Sequence, residues 1–286
     1  MNINKIGSDD MLRKAAWLLA SMVILLSSVA ASAETSANNN LLVAADTKAS
    51  GEYAFTQCRA LQGKPFDTSS TKKKALIVGD SYGCDFLNSV LENKYLQDYQ
   101  IRLRFIPYSC QTVVGDNSDK FIDAKDREFC AKPERADSLE RAKAQIQEAD
   151  LVIFSARWKP EIAQELPQTI HQLGLKPQQK VVVVGSKFFG KITVRQYLRL
   201  SAEERKALQN EVDTAEAQKI NASLAQHLGQ GVVFVDPHSL VCGNDASCPV
   251  FTDDLNLISY DGRHLTKEGA RYVGKMLFEH SALGQM

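Results

Sequence analysis

Apolar residues in this chain fall into short unbroken runs separated by stretches in which they recur every three or four positions. Ala75-Leu76-Ile77-Val78, Ile101 to Ile106, Leu151 to Phe154, Val181 to Val184 and Val232 to Val235 read as strands. Runs of this length with β-branched residues suit strands covered on both faces. Between them the period changes to that of a helix. Cys84 to Asn93 places Phe86, Leu87, Val90 and Leu91 on one side, and Pro133 to Glu148 and Glu161 to Leu173 read as further helices. Ser201 with Glu204 forms a capping-box pattern opening a long helix towards Leu228. A last helix runs from about Lys267 to Phe278. Five apolar strands alternating with helices predict an α/β domain with an open, mostly parallel sheet.

The first residues follow a different rule. Arg13 and Lys14 precede an apolar run from Ala15 to Leu26, and Ala31-Ser32-Ala33 provides a small-residue cleavage site. Residues 1–33 therefore read as a signal peptide, since the apolar run is short of the roughly 20 residues a membrane span needs. Glu34 to about Gly51 is rich in Ser, Asn, Thr and Ala without a period, so 34–52 reads as a flexible leader. The ordered domain is expected over 53–286, exported to the periplasm or secreted, with no stable membrane span after cleavage.

Charge adds an exclusion. The chain carries 34 basic and 34 acidic residues. Loss of the signal peptide removes Lys5, Arg13, Lys14, Asp9 and Asp10, which shifts the balance only to −1. Without clustered positive charge a nucleic-acid partner is not expected. The six cysteines, Cys58, Cys84, Cys110, Cys130, Cys242 and Cys248, all lie beyond residue 33. An even number in an oxidising compartment favours disulfides. No Cys-x-x-Cys pair and no histidine cluster is present, so no metal and no cofactor is expected.

In open parallel sheets, sites lie beyond the carboxyl ends of the strands. That rule selects Gly79-Asp80-Ser81, Pro107 to Gly115, Ser155-Ala156-Arg157-Trp158 and the region after Asp236. Ser81, after a strand and before a helix, has the setting of a nucleophile or of a plain helix cap. Asp261 stands three residues before His264 on a segment preceding the last helix, a spacing that can set a carboxylate against one imidazole nitrogen. His238 is the rival base, while His171, His227 and His280 read as surface residues. Gly185 to Lys191 nearly matches a P-loop, but Ile192 stands where a magnesium-binding Ser or Thr belongs. Lys187 and Lys191 are left as ligands for an anionic glycan or as solvated loop residues.

Gly-Asp-Ser after the first strand and Asp-x-x-His before the last helix together resemble the SGNH, or GDSL-type, hydrolases and acyltransferases. The resemblance runs from about Lys74 to Phe278. It implies a three-layer α/β/α, flavodoxin-like fold with Ser81 as nucleophile, His264 as general base and Asp261 as its orienting partner. It also implies the Ser81 backbone N–H as an oxyanion donor, and Gly115 at the position of the family's glycine block. The place of the usual Gly-x-Asn-Asp block holds Ser155-Ala156-Arg157-Trp158. Ala-Arg-Trp there looks like the SGNH domains fused to bacterial membrane acyltransferases that O-acetylate surface polysaccharides. By the same resemblance Arg157 is a donor to oxyanion or substrate, or else a salt-bridged loop residue. Trp158 is a sugar-facing wall or a packing residue. Cys110 with Cys130 and Cys242 with Cys248 are the implied disulfides, the latter pair bracketing Gly243-Asn244-Asp245. Cys58 and Cys84 pair with each other, or Cys84 is an inert core thiol.

The expected function is an exported serine esterase or O-acyltransferase acting on acylated cell-surface carbohydrate, with a membrane acyl-donor protein as a partner. The competing expectation is a non-catalytic glycan- or partner-binding module on the same fold.

Overall fold

The five apolar runs become one parallel sheet because each supplies alternate side chains to two separate cores. The computed structural model describes residues 35–115, 118–212, 215–243 and 246–286. A helix over 35–44 (α1) and Thr47–Leu61 (α2) precede β1 (Lys73–Gly79). Next come α3 (Ser81–Glu92), β2 (Tyr99–Phe105), α4 (Arg127–Ala131), α5 (Leu139–Glu148), β3 (Leu151–Ser155), α6 (Pro160–Gln172) and β4 (Lys180–Val184). The rest holds α7 (Val194–Tyr197), α8 (Ala202–Ala207), β5 (Gln209–Glu211), α9 (Ala215–His227), β6 (Val232–Val235), α10 (Pro237–Cys242), β7 (Ser247–Pro249) and α11 (Lys267–Glu279). Residues 1–33, read as a signal peptide, lie outside the described residues, as do Asn244 and Asp245.

The sheet order is β2-β1-β3-β4-β6, all parallel. Ile77 pairs with Leu103 on one side and Ile153 on the other, and Ile153 pairs with Val182. These residues face α3 and α11, together with Leu87, Val90, Val273 and Leu277. The intervening residues Leu76, Val78, Val152, Phe154 and Val183 face the opposite core, with Leu139, Ile146, Ile162, Leu166 and Leu224 of α5, α6 and α9. The result is the expected three-layer α/β/α fold. Strand order reverses between β1 and β3, and a crevice opens at the carboxyl ends of such a switch point.

Several local expectations change. The stretch read as a flexible leader is helical in its described part, with Leu41 and Ser50 buried. Leu41 packs with Tyr197, Phe251 and Leu257, and Asp46 caps α2 through the Lys48 and Ala49 N–H groups. These partners are distant in sequence, which is why composition alone pointed to a coil. The Ser201–Glu204 capping box is present, but it opens only the short α8. The chain then pairs Asn210 with Cys248 in an antiparallel ribbon before α9 begins. α5 starts at Leu139 under a Ser138 cap, later than Pro133. On α3, Phe86, Leu87 and Val90 are buried, while Leu91 is exposed.

All six cysteines are paired, as Cys58–Cys84, Cys110–Cys130 and Cys242–Cys248. The first pair, left open by sequence, ties α2 to the helix that follows Ser81. Among the described residues, no helix is long and apolar enough to cross a membrane.

Candidate active site

β1 ends at Gly79, where the chain passes close against β3. A Cβ on Gly79 would lie 1.8 Å from the Ser155 carbonyl oxygen. Asp80 follows as the N-cap of α3. Its carboxylate accepts from the Tyr82 N–H at 2.9 Å and from the Arg157 N–H at 3.1 and 3.2 Å. One buried side chain thus joins the ends of β1 and β3. Burial pushes the Asp80 carboxyl up to about 6, against these two hydrogen bonds. Ser81 opens α3 at the carboxyl edge of the sheet. Its N–H belongs to the first turn, where no intrahelical acceptor exists.

The segment before α11 brings the remaining two groups. Asp261 Oδ1 accepts from the Arg263 and His264 N–H groups at 2.8 and 2.7 Å. Asp261 Oδ2 lies 2.6 Å from His264 Nδ1, and His264 Nε2 lies 2.9 Å from Ser81 Oγ. With Nδ1–H donating to Asp261, Nε2 is free to accept from the Ser81 hydroxyl. Burial acts to raise the Asp261 carboxyl, but hydrogen bonds from the His264 side chain and backbone outweigh it and hold it at about 2. Gly262 makes the turn with φ +86, and a Cβ there would meet the Gly190 carbonyl at 2.0 Å. Tyr260 stacks on the His264 ring, with Tyr82 and Phe55 at its other sides.

A buried ion pair underlies this loop. Asp85, one turn after Ser81 on α3, lies 2.6 Å from Lys187 Nζ, and the two side chains are 1% and 6% exposed. Lys187 Nζ donates to the Arg263 carbonyl at 2.6 Å, while Asp85 Oδ1 accepts from the Leu265 N–H at 3.2 Å. The pair therefore grips the backbone on both sides of His264. Lys187 also sits 3.7 Å from the Tyr82 ring centroid. This disposes of the P-loop-like stretch. Its Ser186 N–H is taken by Asn221 Oδ1 and its Phe189 N–H by the Gly262 carbonyl, so neither points at an anion. Being buried and paired, Lys187 is also not a surface ligand for a glycan.

The other expected residues divide. The Arg157 N–H is committed to Asp80, leaving the guanidinium, which lies 4.7 Å from the Tyr108 ring centroid. Trp158 is buried and donates Nε1–H to the Val184 carbonyl at 2.7 Å, which is a packing role. Gly115 is not brought to Ser81. It turns at φ +113 against Gln172 of α6 and lines cavities bounded by Ser118 and Val113. The long loop after β2, tied by Cys110–Cys130, carries it there.

His238, the rival base, is buried in α10, and among the described residues neither ring nitrogen has a well-formed hydrogen bond. Burial pushes its imidazole below the usual range. With Cys242 and Cys248 it makes the single grouping of potential metal ligands within 4.8 Å among the described residues. Both sulfurs are committed to their disulfide, so they are not available as thiolates.

Sequence reasoning missed Asp80, Asp85 and Lys187 as organisers of the site. Asp80 stood inside the Gly-Asp-Ser motif, and its position before a helix was the available signal. Asp85 had a weaker one, an acidic residue among apolar neighbours on α3.

Comparison with known proteins follows the same outline. A family model described as "SGNH domain (fused to AT3 domains)" matches residues 15–279. Among solved structures, the lipopolysaccharide acetyltransferase periplasmic domain of Salmonella ser. Paratyphi A superposes with a TM-score of 0.53 at 16% identity. The match covers 83% of this chain and 98% of that one, and at this identity it speaks for the fold. No curated protein matches the sequence.

Proposed function

The chain belongs to the family of SGNH domains found fused to AT3 domains, and from that premise we propose an exported serine esterase or O-acyltransferase acting on O-acetyl esters of cell-surface carbohydrate. The observation that carries the reading is the unbroken relay from Asp261 Oδ2 through His264 to Ser81 Oγ. It lies at the carboxyl edge of the sheet, where a substrate can enter.

In this proposal Ser81 Oγ attacks the acyl carbonyl carbon while His264 Nε2 takes its proton. Asp261, ionised down to about pH 2, keeps Nδ1–H in place and stabilises the imidazolium. The Ser81 N–H receives the developing oxyanion, and the Arg157 guanidinium is a donor to the oxyanion or to the substrate. His264 then returns the proton to the departing alkoxide, leaving an acyl-serine. Water, or a sugar hydroxyl, gives its proton to His264 and attacks the acyl-serine carbonyl; the bond to Ser81 Oγ then breaks, and His264 returns the proton to that oxygen. Water yields hydrolysis and sugar yields transfer. A membrane acyltransferase is the proposed acyl-donor partner, by analogy with the AT3 fusion in the family description.

The test is acyl trapping and turnover with acetyl esters, with and without oligosaccharide acceptors. Ser81→Ala is expected to abolish labelling and to lower turnover by about 10³-fold or more. Unchanged hydrolysis and transfer in that variant would overturn the mechanism. Clean glycan binding by a wild-type protein whose Ser81 never labels would favour the binding module instead.

A further inference from the structure

Next to the triad lies a cavity of about 250 Å³ with an unusual lining. It is bounded by Tyr82, the residue after Ser81, by Trp158 after β3, and by two arginines, Arg157 and Arg263. Each guanidinium is seated on an aromatic ring. Arg157 lies 4.7 Å from the centroid of Tyr108, and Arg263 lies 5.4 Å from that of Phe188. Among the described residues, no carboxylate lies within ion-pair distance of either. Among the described residues Glu216 is the single acidic residue on the cavity wall, against Arg157 and Arg263; Lys187 also lines the cavity but is already neutralised by Asp85.

We propose that this cavity binds a carboxylate or phosphate group carried by the acylated carbohydrate, with Arg157 and Arg263 as its ligands. The proposal rests on the acyl-ester reading of Ser81 and names the class of sugar that site takes. Stacking holds a guanidinium by its face and leaves its N–H edge free, which is the geometry for bidentate capture of a planar or tetrahedral anion. Both arginines are also anchored to the triad through their own backbones. The Arg157 N–H is held by Asp80, the cap of the Ser81 helix, and the Arg263 N–H by Asp261. A bound anion is therefore held within an arginine side chain's reach of backbone that is tied to Asp80 and Asp261. The substrate that fits has its anionic group on the acylated sugar or its immediate neighbour. A lysine beside the cavity gives a control, since Lys159 lies 5.5 Å from the Tyr108 ring without lining the cavity.

The experiment compares kcat/KM for three matched esters: an O-acetylated neutral hexose, an O-acetylated hexuronate and an O-acetylated hexose phosphate. Wild type is expected to favour at least one anionic ester over the neutral one by about tenfold or more, mainly through KM. The two anionic arms distinguish carboxylate from phosphate. Arg263→Gln is expected to collapse that ratio towards one, and Lys159→Gln to preserve it. Equal handling of all three esters by wild type overturns the proposal. So does an equal fall of the ratio in Lys159→Gln, which would mark diffuse surface charge. If no ester is turned over and Ser81 does not label, the acyl-ester reading has failed. Calorimetric titration with deacetylated hexuronate oligomer and with hexose phosphate then tests the cavity by itself. Binding of either that Arg263→Gln weakens about tenfold supports the anion site, and no binding of either overturns it.

Discussion

Replacing Lys187 by Met removes one partner of a nearly solvent-free ion pair. Asp85 is 1% exposed, and the variant leaves it with the Leu265 N–H as its remaining hydrogen bond. Breaking a buried pair from one side costs about 3–5 kcal/mol, because an uncompensated charge stays behind. For a domain of this size that corresponds to a melting temperature lower by roughly 10 °C. Replacing both partners, as in Lys187→Met with Asp85→Leu, removes the buried charge altogether. What remains is the Leu265 N–H without its acceptor, a loss of about 1–3 kcal/mol, and the Arg263 carbonyl without its Lys187 donor, a loss the Lys187→Met variant shares. The double variant should therefore be more stable than Lys187→Met alone by about 2 kcal/mol. Urea unfolding of wild type, both single variants and the double variant measures this directly. Acetyl-ester turnover, measured alongside, should stay low in the double variant, because neither side of His264 is gripped any longer. A double variant no more stable than Lys187→Met would refute the coupling, and so would a cost below about 1 kcal/mol for Lys187→Met.

Two further outcomes follow from the same frame. The folded Asp80 carboxyl, at about 6, stands above its unfolded value of 3.8. Its contribution to stability is therefore complete below pH 3.8 and is lost as pH rises through about 6, a change of at most about 3 kcal/mol. Unfolding free energies of wild type and Asp80→Asn should converge or cross over that window, and a pH-independent difference between them would contradict the assignment. Removing Cys58–Cys84, which spans 26 residues, by a double Cys→Ser change should cost about 3–4 kcal/mol on the chain-entropy estimate. It should also expose α2 to limited proteolysis ahead of the rest of the domain.

The relation between sequence and structure differs from element to element. The strands were legible because an unbroken apolar run has one stable solution, coverage on both faces. α11 was legible from its 3.6-residue pattern, and the structure adds Thr266 as its cap. The stretch from Ser201 to Leu228 was not, since its break depends on Asn210 and Glu211 finding backbone partners in Cys248 and Ser247. α1 and α2 escaped notice for a similar reason. Leu41 of α1 finds its partners in Tyr197, Phe251 and Leu257, and α2 finds its own on α3, through Cys58–Cys84 and the Ala54 carbonyl that accepts from Asn88.

The candidate site divides in the same way. Gly-Asp-Ser and Asp-x-x-His are local patterns, and strand-end placement is local as well, so Ser81, Asp261 and His264 could be named from sequence. Gly115 was named by the same motif logic, but the loop after β2 carries it to Gln172. Local periodicity and turn chemistry determined which residues stand at the carboxyl edge of the sheet. Only the tertiary structure decided which of them meet. Ser81 and His264 are 183 residues apart, and their contact depends on a buried pair, Asp85 with Lys187, that no local pattern reports. Burial made that difference, since a charge removed from water must find its partner wherever the fold supplies one.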